Sequence, residues 1–142
     1  MTGKEYLQQA YYAAKKVKDM ESDIKRLEEA ATMCGSSLSG MPRSPSGEKS
    51  RLESIACKIA DKKHELVLQI ADLRERQSQI MLLLTEMQDE DSKRLLELRY
   101  VKGKDWHEIK TSMHFGRSWT FKLHDLAVAE FEKILQKNKE WT

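Results

Sequence analysis

Two stretches of the chain carry apolar side chains at helical spacing, with charged side chains between them. In the first stretch the apolar positions are separated alternately by four and three residues for more than three heptads, with no Gly or Pro between Lys4 and Met33. This narrow stripe predicts a coiled-coil helix over residues 1–33, with an amphipathic helix on a globule as the alternative. Its members are Tyr6, Ala10, Ala13, Val17, Met20, Ile24, Leu27 and Ala31.

The second stripe has the same alternation of steps and predicts a longer coiled-coil helix over residues 51–91. Lys62, Gln69 and Arg76 occupy three of its seam positions, where polar side chains weaken the seam and can specify register or partner. The second helix is longer than the first, so the apolar stripe at its end has no partner on the first helix. A second copy of the chain can cover that stripe, which favours a homodimer. The remaining members are Leu52, Ile55, Ile59, Leu66, Leu73, Ile80, Leu83 and Met87.

Residues 34–50, CGSSLSGMPRSPSGEKS, separate the two stripes. They are rich in Ser and Gly and contain both prolines of the chain. Such a composition buries too little apolar area to offset chain entropy, so a flexible linker is expected. An antiparallel helical hairpin therefore precedes the last segment, residues 92–142.

The last segment combines helix breaks, caps and short apolar stripes. An apolar helix ends near Val101, Gly103 breaks it, and Asp105 with Glu108 forms a capping-box-like pair. A short helix then presents Trp106, Ile109 and Met113 inward, Phe115 plugs a tight turn, and a helix from Arg117 to Phe131 follows. The inward face of that helix comprises Thr120, Leu123, Ala127 and Phe131. This order predicts an all-α protein with a C-terminal helix-turn-helix.

The charge distribution separates this segment from the rest of the chain. Of the 142 residues, 34% are charged and only 7% are aromatic, which favours long helices over a sheet. Residues 1–33 are neutral, residues 51–91 carry six basic and nine acidic side chains, and residues 92–142 carry eleven basic and seven acidic ones. A basic helix-turn-helix predicts an acidic polymer as partner, and DNA is the natural one.

Candidate enzyme and metal chemistries lack the residues they need. His107 begins a sequence similar to half of a zinc-peptidase motif, but Thr111 stands where the second His is required, and His114 has no third ligand. Ser112 and Ser118 lie in no nucleophile elbow, and no Gly-rich phosphate loop is present. We therefore expect no catalytic site, no metal and no cofactor.

The expected location is the cytoplasm. Cys34 and Cys57 are expected to stay reduced, because nothing marks the chain as secreted. No apolar run approaches a membrane span, and the first residues lack the apolar core of a signal peptide.

The predicted helix-turn-helix assigns DNA contacts to residues that project from its supporting helix. Arg and Lys donate to guanine edges or phosphates, Ser can do either, and Phe can contact a thymine methyl. The predicted base-contacting residues are Arg117, Ser118, Phe121 and Lys122, and the predicted phosphate contacts are Lys102, Lys104 and Lys110.

Residues 95–135, LLELRYVKGKDWHEIKTSMHFGRSWTFKLHDLAVAEFEKIL, resemble the region 4 helix-turn-helix of bacterial sigma factors. The whole chain, with heptads first and this module last, is similar to small phage-encoded proteins of the ArpU-like and RinA-like late transcription regulators. The resemblance implies binding to promoter or operator DNA in a bacterial host, with contacts to host RNA polymerase as a further implication. His114, Gly116 and Thr120 depart from the family pattern.

Two other functions are consistent with the sequence. A phage packaging protein of small-terminase type would also combine a helix-turn-helix with coiled coils, although it usually carries the DNA module first. A protein-only adaptor would dock on RNA polymerase and never contact bases. The first predicts a ring-forming oligomer, and the second predicts little salt-dependent DNA binding.

Overall fold

The computed structural model describes residues 2–37 and 45–140, and all regular structure in these ranges is helical. The predicted all-α class is confirmed. A π-helical turn, Glu97–Val101, continues the third helix directly. The α-helices are α1 Gly3–Ser37, α2 Pro45–Leu84, α3 Glu90–Leu96, α4 Trp106–Met113 and α5 Arg117–Glu140. Within the described ranges, none of these helices is both long and apolar enough to cross a membrane.

The chain forms two compact units, one built from Met1–Ala14 and Asp72–Thr142 and the other from Lys15–Ala71. This division differs from the segments predicted from composition, because α1 and α2 each contribute residues to both units. The first unit contains α3, the π turn, α4 and α5 complete.

The first unit is organised around one apolar core. The largest fully buried side chain among its described residues is Phe131 of α5, whose ring centroid lies 6.0 Å from that of Tyr6 on α1. α3 packs against α5, and the π turn packs against α4. The buried members are Leu7, Ala10, Ile80, Leu84, Met87, Leu95, Leu96, Leu98, Tyr100, Ile109, Met113, Leu123, Ala127, Phe131 and Leu135. Burial of such a cluster supplies most of the stabilising free energy.

The second unit consists of the stretches of α1 and α2 that carry most of the two predicted stripes. Val17 and Ile24 of α1 are buried, and every other predicted stripe position in the unit is half-buried. At the polar seam position Lys62, the ammonium nitrogen lies 3.9 Å from an Asp23 carboxylate oxygen, and the Lys63 ammonium lies 3.1 Å from that of Glu28. These exposed pairs contribute little to stability, although they agree with one register of the stripes.

The helices begin and end at positions different from those predicted. α1 continues through Ser37 and α2 starts at Pro45, so both ends of the predicted linker 34–50 are helical, and residues 38–44 lie outside the described residues. α2 ends at Leu84 rather than near residue 91: the Glu86 and Met87 amides bond three residues back, and the Thr85 hydroxyl donates to the Leu82 carbonyl at 2.6 Å. Met87 is buried as predicted, but it lies in the connection to α3.

Candidate nucleic-acid interface

The break before α4 has the backbone that the sequence predicts. Gly103 has φ 68°, a left-handed conformation that glycine adopts without steric cost. Asp105 is extended, with φ −78° and ψ 169°, and its carboxylate accepts a hydrogen bond of 2.8 Å from the Glu108 amide. The predicted N-cap is confirmed, and it fixes Trp106 as the first residue of α4.

Replacing Asp105 by Ala should lower the free energy of unfolding by about 1 kcal/mol, because the Glu108 amide loses its acceptor. The matched control is Asp105→Ser, which keeps an acceptor and should lose only a small part of that amount. Urea denaturation followed by circular dichroism measures both variants. Equal losses would contradict the capping role.

The turn between α4 and α5 consists of three residues, and each has a local reason for its conformation. His114 is the one described non-glycine residue with positive φ, at 58°. Its amide and that of Phe115 both donate to the Lys110 carbonyl, which closes α4. The Gly116 carbonyl accepts bonds from the Thr120 amide at 3.0 Å and the Thr120 hydroxyl at 2.8 Å. The unusual residues His114, Gly116 and Thr120 are thus accommodated.

α5 has one buried and one exposed face. The predicted inward residues Thr120, Leu123, Ala127 and Phe131 are all buried. The predicted base-contacting residues Arg117, Ser118, Phe121 and Lys122 are all exposed in the first two turns of the helix. Two side chains at i and i+4 point the same way, so Ser118 and Lys122 share one line and Arg117 and Phe121 share the next.

The predicted phosphate contacts occupy different environments. Lys102 and Lys104 are exposed on the loop between the π turn and α4, whereas Lys110 lies on α4 and is half-buried. Of the three, Lys102 and Lys104 therefore present their ammonium groups most freely to an anionic partner.

Trp106 at the start of α4 contacts side chains of α5 and of the π turn. Its ring centroid lies 5.0 Å from that of Phe121 and 5.0 Å from that of His124. The Arg99 guanidinium carbon lies 4.6 Å from the Trp106 centroid and 4.3 Å from the Tyr11 centroid. Phe121 is consequently a packing residue as well as a surface residue, with 37% of it exposed.

Arg99 is a cation that sequence reasoning did not assign to the surface. The π turn presents its half-buried side chain between two rings, where a guanidinium keeps its planar donors oriented. It donates one hydrogen bond, of 3.3 Å, to the Lys104 carbonyl. A guanidinium has five N–H donors, so others remain for a ligand. The π-helical geometry that orients Arg99 has no sequence pattern of its own.

His124 and Tyr100 form a buried polar pair beneath the same surface. The Tyr100 hydroxyl oxygen lies 2.7 Å from Nε2 of His124, and only 8% of His124 is exposed. Burial lowers the pKa of His124 below its ordinary value of 6.5; Lys4 and Arg99 lower that pKa further, while the carboxylate of Asp125 opposes the shift. Neither residue could be paired from sequence, because 24 positions separate them.

The stability of the protein should fall as the pH drops below 6.5, through protonation of His124. A lowered pKa in the folded state means that the unfolded chain binds the proton more tightly, so acid favours unfolding. Urea denaturation from pH 8 to pH 5 measures this dependence. His124→Gln should show a smaller loss over the same range, and an identical loss would contradict the assignment.

The other histidines of the segment stand apart from this pair. His107 and His114 are both exposed. In the two ranges that the structure covers, no three His, Cys, Asp or Glu side chains come together in a group that could hold a metal ion.

Comparisons of the chain with protein-family models, with curated proteins and with solved structures found no match.

Proposed function

We propose that the chain is a phage transcription regulator that binds promoter or operator DNA, with α4 and α5 acting as a helix-turn-helix. The observation that carries this proposal is the exposed face of α5. Its first two turns present Arg117, Ser118 and Lys122 to solvent directly after the three-residue turn. This is where recognition helices of such modules place the side chains that enter the major groove.

The chemistry of this face suits DNA. Arg117 and Lys122 can donate to guanine N7 and O6, and Ser118 can bond to a base or a phosphate. Arg99, Lys102 and Lys104 supply cations for phosphates, which fix the orientation of a protein on the duplex. Phe121 can reach a thymine methyl only with the part of its ring that Trp106 leaves uncovered.

The two long helices are proposed to form an antiparallel hairpin. Within the first unit, the Tyr6 hydroxyl donates to the side-chain carbonyl of Gln79 at 2.8 Å, and Arg76 donates to that of Gln9 at 2.9 Å. From the first pair to the second, the residue number rises on α1 and falls on α2. This order supports an antiparallel arrangement of the two helices. Arg76 also shows how a polar seam position finds a partner on the other helix.

We further propose that two copies associate through this coiled coil. Val67 and Leu68 of α2 are 65% and 57% exposed and offer apolar area for the contact. A dimer would present two recognition helices to half-sites separated by about one helical turn of DNA, roughly 34 Å.

The proposal is tested with an Arg117→Ala/Lys122→Ala double variant in fluorescence anisotropy titrations of phage promoter fragments at several salt concentrations. Each base contact contributes about 1–3 kcal/mol, so affinity for the bound fragment should fall at least about thirtyfold. The matched control is Lys15→Ala/Lys18→Ala, which removes the same charge from exposed positions of α1 and should change affinity less than about threefold.

Equal affinities of wild type and the Arg117→Ala/Lys122→Ala variant would contradict base recognition by α5. If no fragment bound with salt dependence, the protein-only adaptor of RNA polymerase would replace the proposed regulator. Sedimentation of a ring-sized oligomer would instead favour the packaging function.

A further inference from the structure

We propose that His124 is a positioning residue of the DNA-binding surface, and that its neutral imidazole holds α5 in the binding-competent orientation. This inference rests on the proposed function and adds a pH-dependent regulation to it. His124 does not contact DNA; it acts through its buried contacts with Tyr100 and Trp106.

The buried contacts of His124 join the three elements that build the surface. Its Nε2 lies 2.7 Å from the Tyr100 hydroxyl on the π turn, and its ring meets that of Trp106 on α4 edge to face at 5.0 Å. The residue itself belongs to α5, one turn after Thr120 and two positions after Lys122. A change in the protonation of the His124 ring therefore alters the packing of α5 against the π turn and α4.

Only the neutral form satisfies the Tyr100 contact fully. When Nε2 accepts the hydroxyl proton of Tyr100, Nδ1 carries the imidazole proton and faces the Asp125 carboxylate at 3.7 Å. Protonation places a hydrogen on Nε2 as well, so two donors confront each other at 2.7 Å. The hydroxyl must then turn away inside a buried site, where an unpaired donor costs free energy.

The charges around the ring add to this cost. Lys4 of α1 and Arg99 of the π turn are both cationic, and Asp125 of α5 is the carboxylate that opposes them. Asp125 is mostly exposed, with 87% of its side chain open to solvent, so water weakens its attraction. Tyr100 of the π turn also faces the ring, and burial raises the pKa of that phenol. It stays neutral over the pH range of the experiment.

The effect on the surface passes through Trp106. The ring of Trp106 contacts both His124 and Phe121, and Phe121 lies next to Lys122 on the exposed face. If the protonated imidazole leaves its place between Tyr100 and Trp106, the first turns of α5 lose the packing that fixes their angle. The measured DNA affinity is then proportional to the fraction of molecules in which His124 is neutral.

The test compares wild type with His124→Gln, whose side-chain carbonyl can accept from Tyr100 but cannot be protonated. Affinity for one promoter fragment is measured by anisotropy from pH 8 to pH 5 at constant salt, within the range where circular dichroism shows unchanged helicity. The affinity of each protein is expressed relative to its own value at pH 8. Below the pKa of His124, the affinity of wild type relative to the variant should fall toward about tenfold per pH unit.

His107→Gln is the matched control, because His107 is an exposed histidine of α4 in the same basic segment. The affinity of wild type relative to His107→Gln should show no such fall with pH, because this exchange leaves the Tyr100–His124 contact in place. Nuclear magnetic resonance titration of the His124 ring protons supplies an independent readout. Its midpoint should lie below pH 6.5, coincide with the loss of affinity, and rise in Tyr100→Phe, which removes the hydroxyl that favours the neutral ring.

Two results would overturn the inference while leaving the proposed function intact: a ratio of wild-type to His124→Gln affinity that does not change with pH, or a His124 titration unaffected by Tyr100→Phe. Should His124→Gln fail to fold, the Tyr100→Phe comparison decides alone. If wild type binds no duplex at any pH, the proposed function fails and the inference falls with it.

Discussion

Replacing Phe131 by Ala should lower the free energy of unfolding by about 3–5 kcal/mol, the largest loss expected from a single truncation among residues 2–37 and 45–140. Phe131 is fully buried, is the largest such side chain, and packs near Tyr6 where α5 meets the start of α1. Truncation removes its apolar contacts and leaves a cavity between these helices. Urea denaturation at pH 7.5 measures the change.

Leu126→Ala is the matched control for Phe131→Ala, because Leu126 lies on the same helix and is 54% exposed. Its loss should stay within about 0.5 kcal/mol. Phe131→Leu provides an intermediate case, with a loss near 1–1.5 kcal/mol, in case the Ala variant does not fold. A loss below about 1 kcal/mol for Phe131→Ala would show that α5 is not seated on this core.

Trp106→Ala should reduce both stability and DNA affinity. The ring contacts Arg99, Phe121 and His124, so its loss frees one cation, one surface side chain and the buried histidine together. Because the ring is half-buried, we expect about 2–3 kcal/mol of lost stability, less than the roughly 3–5 kcal/mol typical of a fully buried Trp. Affinity for a bound promoter fragment should fall about tenfold at a temperature where the variant is still folded.

Two variants separate these effects. Trp106→Phe keeps an aromatic face for Arg99 and should recover most of the affinity. His107→Ala changes the adjacent exposed position of α4 and should leave stability within about 0.5 kcal/mol of wild type. If Trp106→Ala binds DNA like wild type after correction for folding, the Trp106 contacts do not organise the surface.

Local signals in the sequence correctly predicted much of the structure of residues 92–142. The N-cap at Asp105, the break at Gly103 and the inward faces of α4 and α5 follow from side-chain chemistry within one or two turns. A carboxylate before a helix accepts from its free amides, and an apolar residue every three or four positions needs a core. These features depend on neighbours in sequence, which is why they could be read without a structure.

Other features depend on partners far along the chain. The Tyr100–His124 pair and the stacking of Arg99 between Tyr11 and Trp106 join residues from different helices. The π turn places Arg99 between two rings and Tyr100 in the core; it packs against α3 and α4, and composition does not encode it. The end of α2 at Leu84 was missed for a related reason, because the apolar stripe continues to Met87 through a non-helical connection.

The claim that α5 reads base sequence is tested most directly by selection of bound duplexes from a random pool. The intact protein at near-physiological salt is the bait, followed by sequencing of successive rounds. We expect enrichment of one short motif, bound at least about a thousandfold more tightly than random duplex. Enrichment should disappear with Arg117→Ala/Lys122→Ala and persist with Lys15→Ala/Lys18→Ala. A pool that stays random over repeated rounds, with uniform weak binding, would contradict sequence recognition by this protein.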